Sequence, residues 1–310
     1  MKRVVSVSLG SKKGDKTARG VFLGEEFEVR RVSAGGIEQA ARMIRDLDGR
    51  VDAIGLGGID RYLVAGNRKY VIRDAERMAR FAKQTPVVDG SGVKNTLERR
   101  TILYLQENGV IDFSDKKVLV VCAVDRFGMA EAIHELAKAT VFGDLMFSIG
   151  VPIPVRSWKA IQLLGRMLLP IIVRLPFEWL YPTGEKQEKT TPKGEKYFRW
   201  ADVIAGDYKI IGRYMPPPES GAMAGKIVIT NTLTEADREN LRVRGVDMVV
   251  TSTFELDGRT FGTNLVEGVL VTLAGKRPEQ MTSQDYWELI EKLNWKPTIR
   301  RLQTEDGAKT

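Results

Sequence analysis

A lysine at the start of a predicted helix is the side chain of this sequence best suited to acid–base chemistry. Lys94 lies in VVDGSGVKNTLERR, where a strand and a turn precede a helix predicted over residues 93–107. A lysine transfers protons near neutral pH once burial or a partner lowers its pKa. Asp89 or Asp60 could pair with Lys94, so we predict a catalytic group of Lys94, Asp89 and Asp60. The alternative is an exposed first-turn lysine. Three polar residues at the same helix start are predicted to bind a substrate: Ser91, Asn95 and Thr96.

A second stretch, residues 117–144, has the pattern of a nucleotide-binding α/β unit. An apolar run over residues 118–124 predicts a strand buried on both faces, and a helix pattern starts near Phe127. A second predicted strand ends in Asp144. The spacing from Asp125 to Asp144 suits a carboxylate that binds a ribose diol. The stretch therefore predicts the start of a cofactor-binding domain.

The turn inside this stretch reads AVDRFGMA and lacks the usual GxGxxG glycines. The helix N-terminus still offers backbone N–H groups and the positive end of the helix dipole, which could bind a pyrophosphate. Arg126 could add a bidentate contact. The alternative is an ordinary turn, with Asp125 as the N-cap and Arg126 in solvent. The expected cofactor is NAD or NADP. NAD is favoured because Asp144 would repel a 2′-phosphate, whereas a nearby arginine such as Arg156 would favour NADP.

Small and hydroxyl-bearing residues end five of the predicted strands. Ligands of open α/β sheets bind beyond the carboxyl ends of the strands, although such residues also form ordinary polar turns. The loop FGTN precedes another predicted helix, where Gly262 would permit close approach and Asn264 could cap the helix or hold an amide. The predicted cofactor-binding residues are Asp125, Arg126, Phe127, Gly128, Asp144, Asn231, Thr232, Thr251, Gly262 and Asn264.

Strands alternate with helices along the chain, which predicts an α/β fold with a parallel, doubly wound sheet. A length of 310 residues suggests two domains. We predict an N-terminal α/β substrate domain over residues 1–112, with a β-hairpin around Gly24. A Rossmann-like nucleotide-binding domain would follow over residues 113–310, with a helical insertion near residues 156–200.

The composition excludes several classes of function. The net charge is +8, but Lys and Arg alternate with Asp and Glu, so we expect no nucleic-acid partner. His134 is the only histidine and Cys122 the only cysteine, which leaves no residues for a His-based triad, a Cys/His metal site or an internal disulfide. A single cysteine and an N-terminus without a signal-peptide core predict a cytoplasmic protein.

The most apolar stretch, residues 158–181, is interrupted by charges and prolines that include Arg166 and Pro170. A charge at mid-membrane costs roughly 2.5–3.5 kcal/mol, so we expect no stable membrane insertion. The stretch is predicted to pack as helices in the core or in a homodimer interface. An interfacial membrane contact is the alternative.

Eight segments of the sequence resemble those of bacterial proteins named quinate 5-dehydrogenase: VSLGS, GLGGID, VDGSGVKNTLERR, AVDRFGMAEA, VFGDL, LPFEWLYPTGEKQ, ITNT and FGTN. The layout is more loosely similar to the shikimate/quinate dehydrogenase family. That resemblance implies an N-terminal substrate domain, a C-terminal Rossmann domain, and a catalytic Lys and Asp in the substrate cleft. Lys94 is nearest to the family lysine. The family Asp has no clear match, and AVDRFGMA replaces the family's glycine-rich turn.

Together, the residues and the resemblance predict an NAD(P)-dependent oxidoreductase. Its substrate would be a small hydroxy acid or carbonyl compound, quinate- or shikimate-like by resemblance. One alternative is a methyltransferase-like transferase, which would also place a carboxylate after its second strand for a ribose. Another is a non-catalytic nucleotide-binding sensor or scaffold, which the missing glycine fingerprint favours.

Overall fold

The computed structural model of the chain describes residues 1–10, 12–65, 68–175, 190–253, 255–256 and 259–303. The chain divides into two α/β units, which confirms the predicted fold class. Residues 176–189, part of the predicted helical insertion, lie outside the described residues. The first unit comprises residues 1–97, 164–187 and 255–295, and the second unit comprises residues 98–163, 188–254 and 296–310.

The described strands are named here in chain order. They are β1 (Lys2–Ser8), β2 (Lys16–Phe22), β3 (Glu25–Ser33), β4 (Ala53–Gly57), β5 (Tyr62–Ala65), β6 (Arg68–Val71), β7 (Val87–Val88), β8 (Lys117–Val120), β9 (Ala139–Phe142), β10 (Val203–Ala205), β11 (Ile227–Thr230), β12 (Met248–Thr251), β13 (Glu255–Leu256), β14 (Arg259–Thr260) and β15 (Thr298–Arg301).

The described α-helices are named in the same way. They are α1 (Ile37–Leu47), α2 (Arg73–Ala79), α3 (Ser91–Glu107), α4 (Phe127–Leu136), α5 (Trp158–Ile172), α6 (Glu195–Trp200), α7 (Tyr208–Tyr214), α8 (Glu235–Val243), α9 (Thr263–Ala274) and α10 (Ser283–Lys292).

The sheet of the first unit has the strand order β2-β3-β1-β4-β7. β1 runs parallel to β3 and β4, and β4 runs parallel to β7. β2 and β3 form the predicted antiparallel hairpin, whose turn holds Leu23 and Gly24 at positive φ. α9 packs on β1 and β4. It can approach closely because Gly268 has no side chain: a Cβ there would lie 2.5 Å from Val4 Cγ1.

The sheet of the second unit has the strand order β15-β12-β11-β10-β8-β9. β8 to β12 are parallel, and β15 is antiparallel at the edge. Counted along the chain from β8, the order is 2-1-3-4-5-6, which confirms the predicted doubly wound sheet. The order reverses between β8 and β10. Open α/β sheets bind ligands at such a switch point, beyond the carboxyl ends of the strands.

β8 ends at Val120, earlier than the strand predicted over residues 118–124. The side chain of Asp144 competes with the sheet for backbone N–H groups that follow this strand. The carboxylate of Asp144 accepts hydrogen bonds from the N–H groups of Ala123 and Val124, at 3.0 and 2.9 Å. The apolar residues after Val120 therefore form a buried turn that leads into α4.

The predicted domain boundary between residues 112 and 113 does not describe the division of the chain. α9 and α10 lie between β12 and β15 of the second sheet in sequence, but both belong to the first unit. The reason is the polar complementarity of α9 to the first sheet, where Asn264 Nδ2 donates to Ser6 Oγ at 2.6 Å and to Leu56 O at 2.9 Å. The sequence spacing did not show that α9 packs on the first sheet, because α9 has the apolar pattern of any helix that covers a sheet.

α5 has one buried and one exposed apolar face. Ile161 and Leu169 are buried, whereas Leu163, Met167 and Ile171 are 57%, 61% and 61% exposed. Among the helices in the described ranges, none is both long and apolar enough to cross a membrane. The homodimer contact predicted for this stretch stays a prediction, and the exposed face is the part of α5 to which it applies.

Candidate functional site

Lys94 and Asp60 form a buried ion pair in the first unit. Lys94 lies in the first turn of α3, and its Nζ is 3.3 Å from Asp60 Oδ1. The two side chains are 7% and 19% exposed. Asp60 follows β4, and α3 follows β7, so both residues lie beyond the carboxyl ends of parallel strands. An amine and a carboxylate in contact, largely removed from water, can hold and transfer a proton.

Asp89 fixes the backbone on both sides of this pair. Its Oδ2 accepts hydrogen bonds from the N–H groups of Arg61 and Tyr62, at 2.5 and 3.0 Å. Its Oδ1 accepts from Ser91 N–H at 3.1 Å and from Ser91 Oγ at 2.7 Å, so α3 begins two residues earlier than predicted. The carboxylate thus orients the chain next to Asp60 and the start of α3. The catalytic role of Asp89 and the substrate contact of Ser91 stay predictions.

The glycines of the DGSG turn are required by the close approach of α9 and α10. Gly90 has a φ of 94°, and a Cβ there would lie 2.7 Å from Asn264 N. A Cβ at Gly92 would lie 2.5 Å from Tyr286 Oη and closer still to Glu267 Oε1. No side chain fits at either position, so the start of α3 is packed rigidly in the first unit.

Substituting Gly92 with Ala should destabilise the first unit by about 3 kcal/mol, because overpacking costs 1–3 kcal/mol and a displaced buried hydrogen bond costs a similar amount. Urea unfolding would measure the loss. Gly36→Ala is the matched control, since a Cβ there would meet nothing within 4 Å. Equal unfolding midpoints for the two variants would show that α9 and α10 do not confine this turn.

Glu267 is a buried carboxyl group that the sequence interpretation missed. It is 3% exposed, its Oε1 accepts from Tyr286 Oη at 2.7 Å, and its Oε2 accepts from Gly90 N–H at 2.6 Å. Burial raises the pKa of Glu267 to about 7, and the nearby Asp89 carboxylate adds to the shift. The available signal was a single acidic residue in the otherwise apolar helix TNLVEGVLVTLA, since a carboxylate is rarely buried without partners.

Arg126, predicted to bind a pyrophosphate, is surrounded by carboxylates in the second unit. Its side chain is 3% exposed and forms ion pairs with Glu98, with Asp207 at 2.5 Å, and with Asp125 at 3.4 Å. The alternative of a solvent-exposed arginine is therefore wrong. A phosphate at this guanidinium would compete with three anionic groups. Phosphate binding by Arg126 stays a prediction. In the structure, the positive charge of Arg126 is paired with these carboxylates.

Asp144 closes the turn between β8 and α4. Burial raises its pKa to about 6, although the hydrogen bonds from Val124 N–H and Ala123 N–H lower it. A carboxylate has about four acceptor positions, so these two N–H donors and the N–H of Asp144 itself leave about one for a ribose hydroxyl. The predicted ribose contact is compatible with this geometry and stays a prediction.

The pH dependence of stability should change when Asp144 is replaced by Asn. The unfolded pKa of Asp is about 3.9 and the folded value is higher, so folding favours the neutral form. The contribution of this group is fully present below about pH 4 and is lost as the pH rises through about 6. Between pH 4 and 7 the wild type should lose roughly 2 kcal/mol more than Asp144→Asn in urea unfolding. Asp46→Asn, at an exposed site, should follow the wild type. Parallel curves for wild type and Asp144→Asn would contradict this reasoning.

Two buried hydroxyl groups lie at the carboxyl end of β12. Thr251 Oγ1 and Ser252 Oγ are buried and have no hydrogen-bond partner among the described residues. Asn231 lies beside them, since its carbonyl oxygen accepts from Thr253 Oγ at 2.7 Å, and Thr232 is half-buried. Buried polar groups usually find partners, so these orphan hydroxyls fit a ligand with hydrogen-bonding groups.

The remaining predicted cofactor residues have other surroundings. The Phe127 ring packs on Trp158, with centroids 4.7 Å apart, and Gly128 is buried in the first turn of α4. Gly262 is the N-cap of α9 and belongs with Asn264 to the first unit. The structure therefore places these last two residues in a different unit from the other predicted cofactor residues. Asn264 does not cap α9, because its amide donates to the first sheet.

The residues of the second unit fit a nucleotide in three respects. α4 begins without a side-chain cap, so its positive end is available to an anion. Asp144 retains acceptor capacity, and the hydroxyls of Thr251 and Ser252 lack partners among the described residues. The compensated charge of Arg126 is the feature that does not fit. Within the described ranges, no group of three or more His, Cys, Asp or Glu side chains could hold a metal ion.

The fold and these sites define a two-unit α/β protein with a doubly wound sheet. A family described as a domain of unknown function, DUF8754, matches residues 92–302, and the chain belongs to this family. A second such domain, DUF8753, matches residues 3–89. The two matches therefore meet at the turn that begins α3. No curated protein matches the sequence.

The solved structures that match the chain do so at low similarity. The NAD-dependent malic enzyme from Thermotoga maritima is 13% identical, with 94% of this chain and 84% of that chain covered and a TM-score of 0.36. A periplasmic solute-binding protein of an ABC transporter from Actinobacillus succinogenes 130z, with bound D-allose, is 12% identical, with 97% of each chain covered and a TM-score of 0.36. Because an oxidoreductase and a sugar-binding protein match equally, the comparison assigns neither activity to this chain.

Proposed function

We propose that this protein is an NAD(P)-dependent oxidoreductase acting on a small hydroxy acid or carbonyl compound. By sequence resemblance, the substrate would be quinate- or shikimate-like. The observation that carries the proposal is the buried ion pair of Lys94 and Asp60, in which Nζ and Oδ1 are 3.3 Å apart. Interconversion of an alcohol and a carbonyl requires a group that moves one proton at the substrate oxygen, and this pair is suited to that task.

Lys94 would carry the proton. In the oxidation direction its neutral amine takes the proton of the substrate hydroxyl while the carbon–oxygen double bond forms. In the reduction direction its ammonium returns that proton to the carbonyl oxygen. Asp60 stabilises the ammonium form through its negative charge. A bound nicotinamide would supply the hydride acceptor or donor. The polar residues of the same helix turn, Asn95 and Thr96, would orient the other hydroxyl or carboxylate groups of the substrate.

The second unit would hold the coenzyme through the features described above. Asp144 would accept hydrogen bonds from the adenosine ribose, and the start of α4 would lie against a phosphate. NAD is favoured over NADP because the carboxylate of Asp144 would repel a 2′-phosphate. Arg126 would stabilise the turn through its carboxylate partners.

One observation favours a second candidate, a methyltransferase-like transferase. Three carboxylates, those of Glu98, Asp125 and Asp207, form ion pairs with the guanidinium of Arg126 at the turn. A methyl donor with a sulfonium and an ammonium group, such as S-adenosylmethionine, matches this charge better than a pyrophosphate does. It would use the same ribose acceptor, Asp144.

Titration with reduced coenzyme tests the proposal. NADH should quench tryptophan emission through energy transfer and saturate, and NADPH should bind more weakly. Calorimetry with S-adenosylmethionine distinguishes the second candidate. Absence of binding by both NADH and NADPH at millimolar concentration would contradict the oxidoreductase, and binding of S-adenosylmethionine alone would support the transferase.

A further inference from the structure

The carboxyl group of Glu267 connects three elements of the first unit. Glu267 projects from α9, accepts from Tyr286 Oη of α10 at 2.7 Å, and accepts from Gly90 N–H at 2.6 Å. Each of its two oxygens therefore has one donor. All of these groups are buried, so water cannot replace a lost partner without a rearrangement.

Gly90 links this carboxyl group directly to Lys94. The carbonyl oxygen of Gly90 accepts the first helical hydrogen bond of α3 from Lys94 N–H, at 2.9 Å. Gly90 thus donates its N–H to the carboxyl group of Glu267, and its C=O accepts from the backbone N–H of Lys94. Residue 90 is closely packed, because a Cβ there would lie 2.7 Å from Asn264 N, and its φ of 94° favours glycine. The position of the first turn of α3 therefore depends on the acceptor that Glu267 supplies.

We propose that Glu267 is the positioning residue of the Lys94–Asp60 site, because its carboxyl group holds Gly90 and thereby fixes the turn that carries Lys94. The inference rests on the proposed function only in treating Lys94 as a catalytic residue. The geometry that it uses does not depend on the reaction.

The charge state of Glu267 should modulate this hold. Tyr286 on α10, Asp89 before α3 and Lys69 on β6 are the titratable groups that act on Glu267. Burial, with Asp89, raises the pKa of Glu267 to about 7, while the hydrogen bonds from Tyr286 and Gly90 and the charge of Lys69 lower it. A carboxylate accepts from N–H more strongly than a neutral carboxyl group does. The hold on Gly90 should therefore tighten as the pH rises through about 7.

Covalent labelling of Lys94 tests the inference without relying on activity. The full-length protein would be treated briefly with acetic anhydride between pH 6 and 9, and acetylation of Lys94 relative to exposed Lys83 would be measured by peptide mass spectrometry. Glu267→Ala should label Lys94 about 10-fold faster than the wild type, since the N–H of Gly90 then loses its buried acceptor and the turn is no longer held. Glu267→Gln, which retains an acceptor, should stay near the wild-type rate.

The pH profile separates positioning from general support of the fold. The Lys94/Lys83 labelling ratio of the wild type should change near pH 7, and this change should vanish in Glu267→Gln. Glu288→Gln, at an exposed position of α10, is the matched control and should retain the change. Should Glu267→Ala fail to fold, the comparison of the two Gln variants still decides. Identical pH profiles for wild type and Glu267→Gln would overturn the inference. A shifted profile in a protein that binds no coenzyme would overturn the proposed function and leave the inference standing.

Discussion

Replacing Lys94 with Met should lower kcat of the proposed oxidoreductase about 10²–10⁴-fold, the range typical of a lost general acid or base. Methionine matches the length of lysine and tolerates burial, but it cannot carry the proton between solvent and substrate. Coenzyme affinity should change little, because the predicted ribose contact, Asp144, lies in the other unit. Steady-state kinetics together with the NADH titration would separate the two effects.

Lys83→Met is the matched control for this substitution. Lys83 is exposed in the same unit, so its replacement should leave kcat within about twofold, as expected for surface substitutions. Unfolding midpoints of both variants should be compared, since Lys94→Met removes the ammonium group that pairs with Asp60. Turnover by Lys94→Met at the wild-type rate would remove Lys94 from the mechanism.

The second large effect is expected at Arg126. Substitution by Met should destabilise the second unit by about 3–5 kcal/mol, because removing one partner leaves uncompensated buried charge. The effect should be large here since Glu98 is fully buried and Asp207 is mostly buried. Urea or guanidinium unfolding, followed by tryptophan emission and circular dichroism, would give the shift in midpoint.

Two further variants make this prediction specific. Combining Arg126→Met with Glu98→Gln should recover part of the lost stability. The double variant also removes the buried negative charge of Glu98, which has lost its Arg126 partner in the single variant. Arg199→Met breaks the exposed pair of Arg199 and Glu195 and should cost less than about 1 kcal/mol. A loss for Arg126→Met no larger than that for Arg199→Met would show that the carboxylates around Arg126 do not depend on its charge.

The second sheet could be predicted from the sequence because its strands are local apolar runs. Val118, Leu119 and Val120 are fully buried, as expected for a strand covered on both faces. The position of α9 could not be predicted in the same way. Its apolar residues would suit either sheet, and the groups that select the first one, Ser6 and Leu56 O, lie more than 200 residues away.

The residues of the candidate sites also differ in whether the sequence could reveal their partners. Lys94 and Asp60 were predictable as partners because acid–base chemistry restricts the residue types, and the structure places them in contact. The partners of Arg126 were not predictable, since Glu98 and Asp207 approach it from distant positions on α3 and beyond β10. Glu267 was missed because periodicity assigns an isolated Glu in a helix to the solvent face by default. Burial and pairing of such groups are tertiary properties.

Transfer of deuterium from the coenzyme is the measurement that tests the central claim most directly. Wild-type protein would be incubated with NADH or NADPH deuterated at C4 and with a panel of small keto acids and cyclic hydroxy ketones. Mass spectrometry would then detect deuterium on carbon in the alcohol products. We expect transfer by the wild type and transfer at least about 100-fold slower by Lys94→Met. Coenzyme binding without transfer to any carbonyl compound, or equal transfer by both proteins, would contradict it.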